Sequence, residues 1–285
     1  MKKILSILIV AILAFGMMFT FTGCDQTSNN NSETGVICSK VDGKYVLDSY
    51  VDEGEGYTEL DIEGAVKEKY GSDAVVYRIK TGAFDGNDNL KAILVPKTVT
   101  RIDAGAFKNM TALEELILPF VGSNINADAF VGQTDSGEDK AVNEERLFGY
   151  IFGTTEYEGG SKITQYFDGT TAKSYYIPFT LRKVQIDSAK EYEVPMYAFS
   201  GLTFVSEITF GDKVVGIGEG AFYNAQCLKS LALSKSIVNI YKNAFNGFST
   251  LETIEYAGTS NEWSKVNKGV DWKKGVAENF TITIK

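Results

Sequence analysis

From Ile79 onward the apolar positions fall into a repeating register. Ala-Phe pairs stand at 83–84, 106–107, 129–130, 198–199, 221–222 and 244–245, and successive Phe residues are 23 apart except for one gap of 69. Five residues before each Phe lies an aliphatic: Ile79, Ile102, Ile125, Val194, Ile217 and Ile240. After five of them, at +6, +9 and +11, come Leu90/Ile93/Val95, Leu113/Leu116/Leu118, Val205/Ile208/Phe210, Leu228/Leu231/Leu233 and Leu251/Ile254/Tyr256. The last two apolar residues of each set are two apart, so they share one face of a short strand. Pro96 and Pro119 follow directly and end the strand, since proline has no N–H to donate. The Ala-Phe segment belongs to the opposite wall. There Ala lets backbones approach and Phe fills the space between walls, worth about 1.5–3 kcal/mol per buried ring. One such coil cannot bury its own face, so the coils must stack into a solenoid with a parallel sheet along one side.

Written out, the phrase is L-x-x-I-x-L-P-x-x-V-x-x-I-x-x-x-A-F, and it resembles the BspA-like (Treponema-type) leucine-rich repeat. Residues 75–256 carry it, apart from an insertion over 131–190. The resemblance implies an α/β solenoid with short parallel strands on one side, interrupted by a β-hairpin insertion. It also implies a bacterial surface lipoprotein, since families with this repeat are mostly surface proteins and several resemble adhesins. Gly211 and Ser234 stand where the pattern has Pro, and Phe120-Val121-Gly122 disturbs the third coil.

The gap of 69 equals three periods, yet the residues within it do not repeat the pattern. Asp135 to Lys140 reads as an acidic loop, and Leu147 to Gly153 is similar to an interruption recurrent in BspA-like proteins. Lys162 to Phe167 and Ser174 to Pro178, around the turn signal Asp168-Gly169, read as strands of a hairpin. Ile177-Pro178-Phe179-Thr180-Leu181 matches the strand-to-Pro part of a coil. Nine aromatics fall within 148–179. They admit two readings: a ligand platform, with Tyr150, Tyr157, Tyr166 and Tyr175 as its candidates, or rings that pack the hairpin onto the solenoid flank. Upstream, residues 36–74 read as an N-terminal cap, with a strand over Thr58–Ile62 and a helix over Glu63–Tyr70 stopped by Gly71. Residues 257–285 read as the C-terminal cap, in which Trp263 and Trp272 cover the last apolar layer.

The front end has a different pattern. Met1-Lys2-Lys3 is basic, Ile4 to Phe21 is apolar but for Ser6, Gly16 and Thr20, and from Asp25 the chain turns polar. That order marks residues 1–23 as a signal peptide. Phe21-Thr22-Gly23-Cys24 resembles the bacterial lipobox, which implies lipid attachment at Cys24, a tether over 24–35 and anchorage to the membrane at the bacterial cell surface. An uncleaved apolar anchor is the alternative. Either way the remainder lies outside the membrane.

The chain has 285 residues, a formal charge of −9, three Cys and no His. The charge disfavours nucleic acid as a partner. Without imidazole there is no Ser-His-Asp or Cys-His system, and no His-based zinc site. Asp85-Gly86-Asn87-Asp88-Asn89 opens like a calcium loop, but Leu90 and Pro96 stand where Gly and Glu are needed. Cys38 and Cys227 make no disulfide framework; Cys227 reads as a small buried hydrophobe. No cofactor or metal site is indicated. What remains for function is the strand face that the repeat turns outward: Ala92/Leu94, Glu115/Ile117, Glu207/Thr209, Ser230/Ala232 and Thr253/Glu255. Small, mixed and mildly acidic, it suits an extracellular or cell-surface protein or glycan better than a small molecule. The leading reading is therefore a non-catalytic, adhesin-like binding protein. The alternative is a carbohydrate-active enzyme or glycan-binding module using the insertion's aromatics and its carboxylates Glu145, Glu156, Glu158 and Asp168.

Overall fold

The computed structural model describes residues 34–52, 54, 57–127, 143–168 and 170–285. The signal segment, Cys24, Ala129-Phe130 and the acidic stretch 135–140 lie outside the described residues. The coils are built from β1 (Gly35–Val41), β2 (Lys44–Val51), β3 (Glu59–Asp61), α1 (Ile62–Tyr70), β4 (Val76–Ile79), β5 (Ala92–Leu94), β6 (Arg101–Ile102) and β7 (Glu115–Leu118). A hairpin of β8 (Gly160–Tyr166) and β9 (Ala172–Pro178) intervenes. The solenoid continues through β10 (Lys183–Ile186), β11 (Tyr192–Val194), β12 (Glu207–Phe210), β13 (Val214–Ile217), β14 (Ser230–Ser234), β15 (Asn239–Ile240), β16 (Thr253–Ala257), α2 (Ser260–Lys265), β17 (Asn267–Lys268) and β18 (Thr281–Ile284).

The L-x-x-I-x-L phrases form the first wall. Parallel strands run in the order β12-β10-β7-β5-β3, and β14-β16-β18 continues beside β12. Ile93, Leu116, Val184, Ile208, Leu231 and Ile254 all point into the core, at most 2% exposed. Strands are not confined to this side. The V-x-x-I positions of β4, β6, β13 and β15 also pair, within the orders β2-β4-β6 and β11-β13-β15-β17, and there Ile79, Ile102, Ile217 and Ile240 bring a β-branched residue to a buried position. The third wall carries the Ala-Phe turns, joined from coil to coil by backbone hydrogen bonds, one of them at each Phe. Phe84 N–H donates to Ala106 O, Phe199 to Ala221 O, Phe222 to Ala244 O and Phe245 to Trp272 O.

Inside, the rings stack. Phe84 and Phe107 lie 5.0 Å apart, Phe199 and Phe222 5.2 Å, and Phe222 and Phe245 5.5 Å, the first pair nearly parallel at 5°. The gap in the repeat is bridged by the segment that looked like an interruption. Phe107 N–H donates to Ile151 O and Phe148 N–H to Ala198 O. Phe152 lies 6.2 Å from Phe107, and Phe148 lies 5.4 Å from Phe199. Two Phe residues four apart in a 3-10 turn thus fill the layer between coils, a spacing the 23-residue register does not contain. The strand wall resumes at Lys183–Ile186, which pairs with β7 on one side and β12 on the other. Ile177-Pro178, expected to begin that coil, instead ends β9, where Pro178 lies opposite Gly160.

The two ends differ. At the first, β1 and β2 form an antiparallel hairpin and α1 buries Ile62 and Val66 against the core, N-capped by Asp61 and stopped at Gly71, whose φ is +102°. The Tyr70 hydroxyl accepts from Cys38 N–H and faces Val36 O, so α1 covers the outer edge of β1. At the other end, Trp272 meets Phe245 edge-on at 6.0 Å and Trp263 at 6.3 Å. Both Trp residues pack half-buried on the last layer.

Candidate functional site

Register makes the outward strand face one surface. Glu59, Ala92, Glu115, Lys183 and Glu207 lie side by side across five strands, and Asp61, Leu94, Ile117, Gln185 and Thr209 form the second row. Ser230, Thr253 and Thr281 with Ala232, Glu255 and Thr283 continue the arrangement over β14, β16 and β18. The ten residues expected on this face all lie on it, half-buried or exposed. Glu59, Asp61, Lys183, Gln185, Thr281 and Thr283 belong to it as well. The sequence signal of the last four is the plain alternation of Lys-Val-Gln-Ile and Thr-Ile-Thr-Ile, outside the Ala-Phe register, while Glu59 and Asp61 flank Leu60 in the strand expected over Thr58–Ile62. The face is acidic, with Lys183 between Glu115 and Glu207, and Lys285 paired to Glu255.

The aromatic candidates sit differently. Tyr175 is 2% exposed, and its ring lies where a Cβ on Gly149 would come within 2.5 Å. Tyr166 meets Tyr223 edge-on at 5.5 Å. Tyr157 is half-buried with its hydroxyl toward Met110 O, and Tyr150 is half-buried beside Glu145. These rings pack the insertion onto the coils. Its tie is Gln165, fully buried: its amide oxygen accepts from Gly149 N–H, and its amide nitrogen donates to Ala198 O and Ser200 O.

The carboxylates of the insertion have structural partners. Asp168 accepts from the backbone and hydroxyls of Thr171 and Thr170, which holds its carboxyl well below the usual carboxylate range. Such a group stays ionised and is a poor proton donor. Glu145 accepts from the Ser123 hydroxyl and Glu156 from Tyr176, while Glu158 is exposed. No hydrogen bond among the described residues joins two of the four. Asp85 pairs with Lys108 at 2.9 Å, and Asn87 caps its own turn at Asn89 and Leu90. Among the described residues no group of three or more His, Cys, Asp or Glu could hold a metal ion, and no helix is long and apolar enough to cross a membrane.

The family model for the BspA type leucine rich repeat region matches residues 72–136 and 169–267 in six copies, more than half of the chain. Among solved structures, the chain is similar to a leucine rich cell surface protein from Faecalibacterium prausnitzii. Identity is 15% over 77% of this chain and 67% of that one, with a TM-score of 0.23. It is also similar to the pneumococcal vaccine antigen PcpA, at 16% identity over 83% of this chain and 62% of that one, with a TM-score of 0.27. No curated protein matches.

Proposed function

Because the chain belongs to the BspA-type leucine-rich repeat family, we propose that it serves at a bacterial cell surface as an adhesin-like binding protein. It docks protein or glycan partners on its outward strand face and turns over no substrate. The observation that carries this reading is the register of that face. Each pairing places side chains of one row about 4.7–4.9 Å from the next, which gives a flat, preorganised surface whose acids lie at fixed intervals. Flat, polar and mixed surfaces of this kind suit macromolecular contact better than enclosure of a small substrate. The lipobox-like Phe21–Cys24 supports attachment through a lipid on Cys24.

The test is capture from host-cell and bacterial surface extracts by the purified protein, compared with a variant carrying Glu115→Lys, Glu207→Lys and Glu255→Lys. Specific capture that the triple variant loses supports the reading. Capture indifferent to the three changes, or none at all, sinks it. Labelling of growing cells with a fatty-acid probe tests the anchor: the wild-type chain should incorporate it and Cys24→Ser should not.

A further inference from the structure

On the rim where the Ala-Phe wall meets the strand wall, each coil presents one residue, and backbone hydrogen bonds join these within each of the two sheets. Glu114 N–H donates to Lys91 O, Arg182 to Glu114 O, Ser206 to Arg182 O and Glu252 to Lys229 O. Lys91 pairs with Glu114 at 3.3 Å and Lys229 with Glu252 at 3.5 Å. Arg182 has no carboxylate partner among the described residues. One of its terminal nitrogens donates to Leu181 O and Phe179 O. Its Nε and other terminal nitrogen have no acceptor among the described residues. That edge of a guanidinium is the one a carboxylate engages with two parallel hydrogen bonds. Lys183, the next residue, also forms no ion pair among the described residues.

Beside this unpaired charge lie two aromatic rings that the repeat does not require. Phe179 is 55% exposed, with the Arg182 guanidinium 4.9 Å from its ring centroid. Phe204, half-buried, lies 6.1 Å from it. In the other coils the position of Phe204 holds Asn89, Ala112, Cys227 and Thr250. The loop is not slack. Phe179 N–H donates to Gly159 O, and the Thr180 hydroxyl donates toward Thr111 O and Leu113 O. The ring is therefore held out in water by a pinned backbone, and little ordering cost remains to be met on binding.

We propose that Phe179, Arg182 and Phe204 form the anchor point of the docking surface. The occupant is an acidic peptide segment of a partner protein, its carboxylate on the open edge of Arg182 and a neighbouring apolar side chain on the two rings. The inference rests on the reading of the strand face as a docking surface. Charge decides the class of occupant: Lys183 lies between Glu115 and Glu207, whereas the open edge of Arg182 offers two donors of a cation that no carboxylate among the described residues meets, complementary to an anion. The rings supply apolar area of the kind that, with Arg, dominates interface energetics.

A random peptide library displayed on phage, selected against the purified full-length protein in detergent, tests this. Enriched peptides should pair Asp or Glu with Phe, Tyr or Leu. Their affinity should fall about tenfold or more for Phe179→Ala and for Arg182→Glu. Arg182→Lys, which keeps the charge but loses the fork, should fall by less than Arg182→Glu. The melting curve of Phe179→Ala should match the wild type, since its ring is exposed. Enriched peptides without acids, preferential binding of an anionic glycan at this rim, or affinity indifferent to these substitutions would overturn the proposal. If Glu115→Lys with Glu207→Lys abolishes binding while Phe179→Ala leaves it intact, the strand face alone holds the partner. That outcome overturns this inference and leaves the proposed function standing.

Discussion

Phe107 and Phe222 are each 0% exposed and stack between neighbouring rings. Replacing either with Ala removes a ring that adjacent coils share, and the stiff walls cannot close over the space. The expected cost is about 3–5 kcal/mol. Glu115→Ala, on the outward face, should change stability by less than about 0.5 kcal/mol. Thermal melts of the three variants check both, and similar melts would refute the buried ladder. The free thiols give a pH test. Burial pushes Cys227 and Cys38 up from the ordinary 9.0 to about 12, with Asp48 adding to the effect at Cys38. The raised folded values favour the protonated thiols. Their contribution to stability is therefore present below about pH 9 and is lost as pH rises toward 12. A thiol reagent applied near pH 9 should label both slowly in the folded protein and rapidly in denaturant; equal rates would contradict the burial. At this scale much was legible, because Ala-Phe spacing names the buried Phe residues of the regular coils. Phe148 and Phe152 were not, since their place in the ladder depends on a 3-10 turn outside the period. Cys227 lies one residue before buried Leu228 and is half-buried, so its reading as a small packed residue differs only in degree.

The hairpin shows what an element contributes beyond its strands. Gln165 satisfies three buried backbone groups at once. Gln165→Leu keeps the volume but strands Gly149 N–H, Ala198 O and Ser200 O. Leaving buried polar groups unpaired costs about 1–3 kcal/mol each before relaxation, so the variant should lose on the order of 3 kcal/mol by chemical denaturation. It should also lose exchange protection at Gly149. A neutral effect would mean the hairpin is held by its rings alone. Both strands and the turn at Asp168 were readable from alternation and turn chemistry. Docking was not, because it relies on one glutamine and on the bare backbone of Gly149, neither of which stands out in sequence. The second wall of short strands was hidden for a similar reason. Two residues such as Arg101-Ile102 carry no period by themselves, and their pairing follows only once the coils are stacked.

At the scale of the molecule, each interior coil has two neighbours and each terminal coil one. In such a one-dimensional array stability is a sum of coil and interface terms. The ends should therefore open first, and unequally, because α1 closes one edge while β18 pairs only with β16. Native-state hydrogen exchange should show amides of β17 and β18 exchanging before those of β7, β10 and β12; uniform protection would exclude this order. The solenoid and its axis were legible from the repeat, whereas the site was legible only in part. The repeat marks the outward strand face, but the rim at Phe179, Arg182 and Phe204 arises where the register is interrupted. The amide relay along the Ala-Phe wall has an evolutionary consequence. Since the 23-residue coils on either side offer the same donors, acceptors and ring to their neighbours, a duplicated or deleted coil leaves matching surfaces on both sides. The protein can thus change its length in whole-coil steps without inventing a new contact. The turn at Phe148–Ile151, which carries the relay from Phe107 to Ala198, is not interchangeable with a coil and resists such editing.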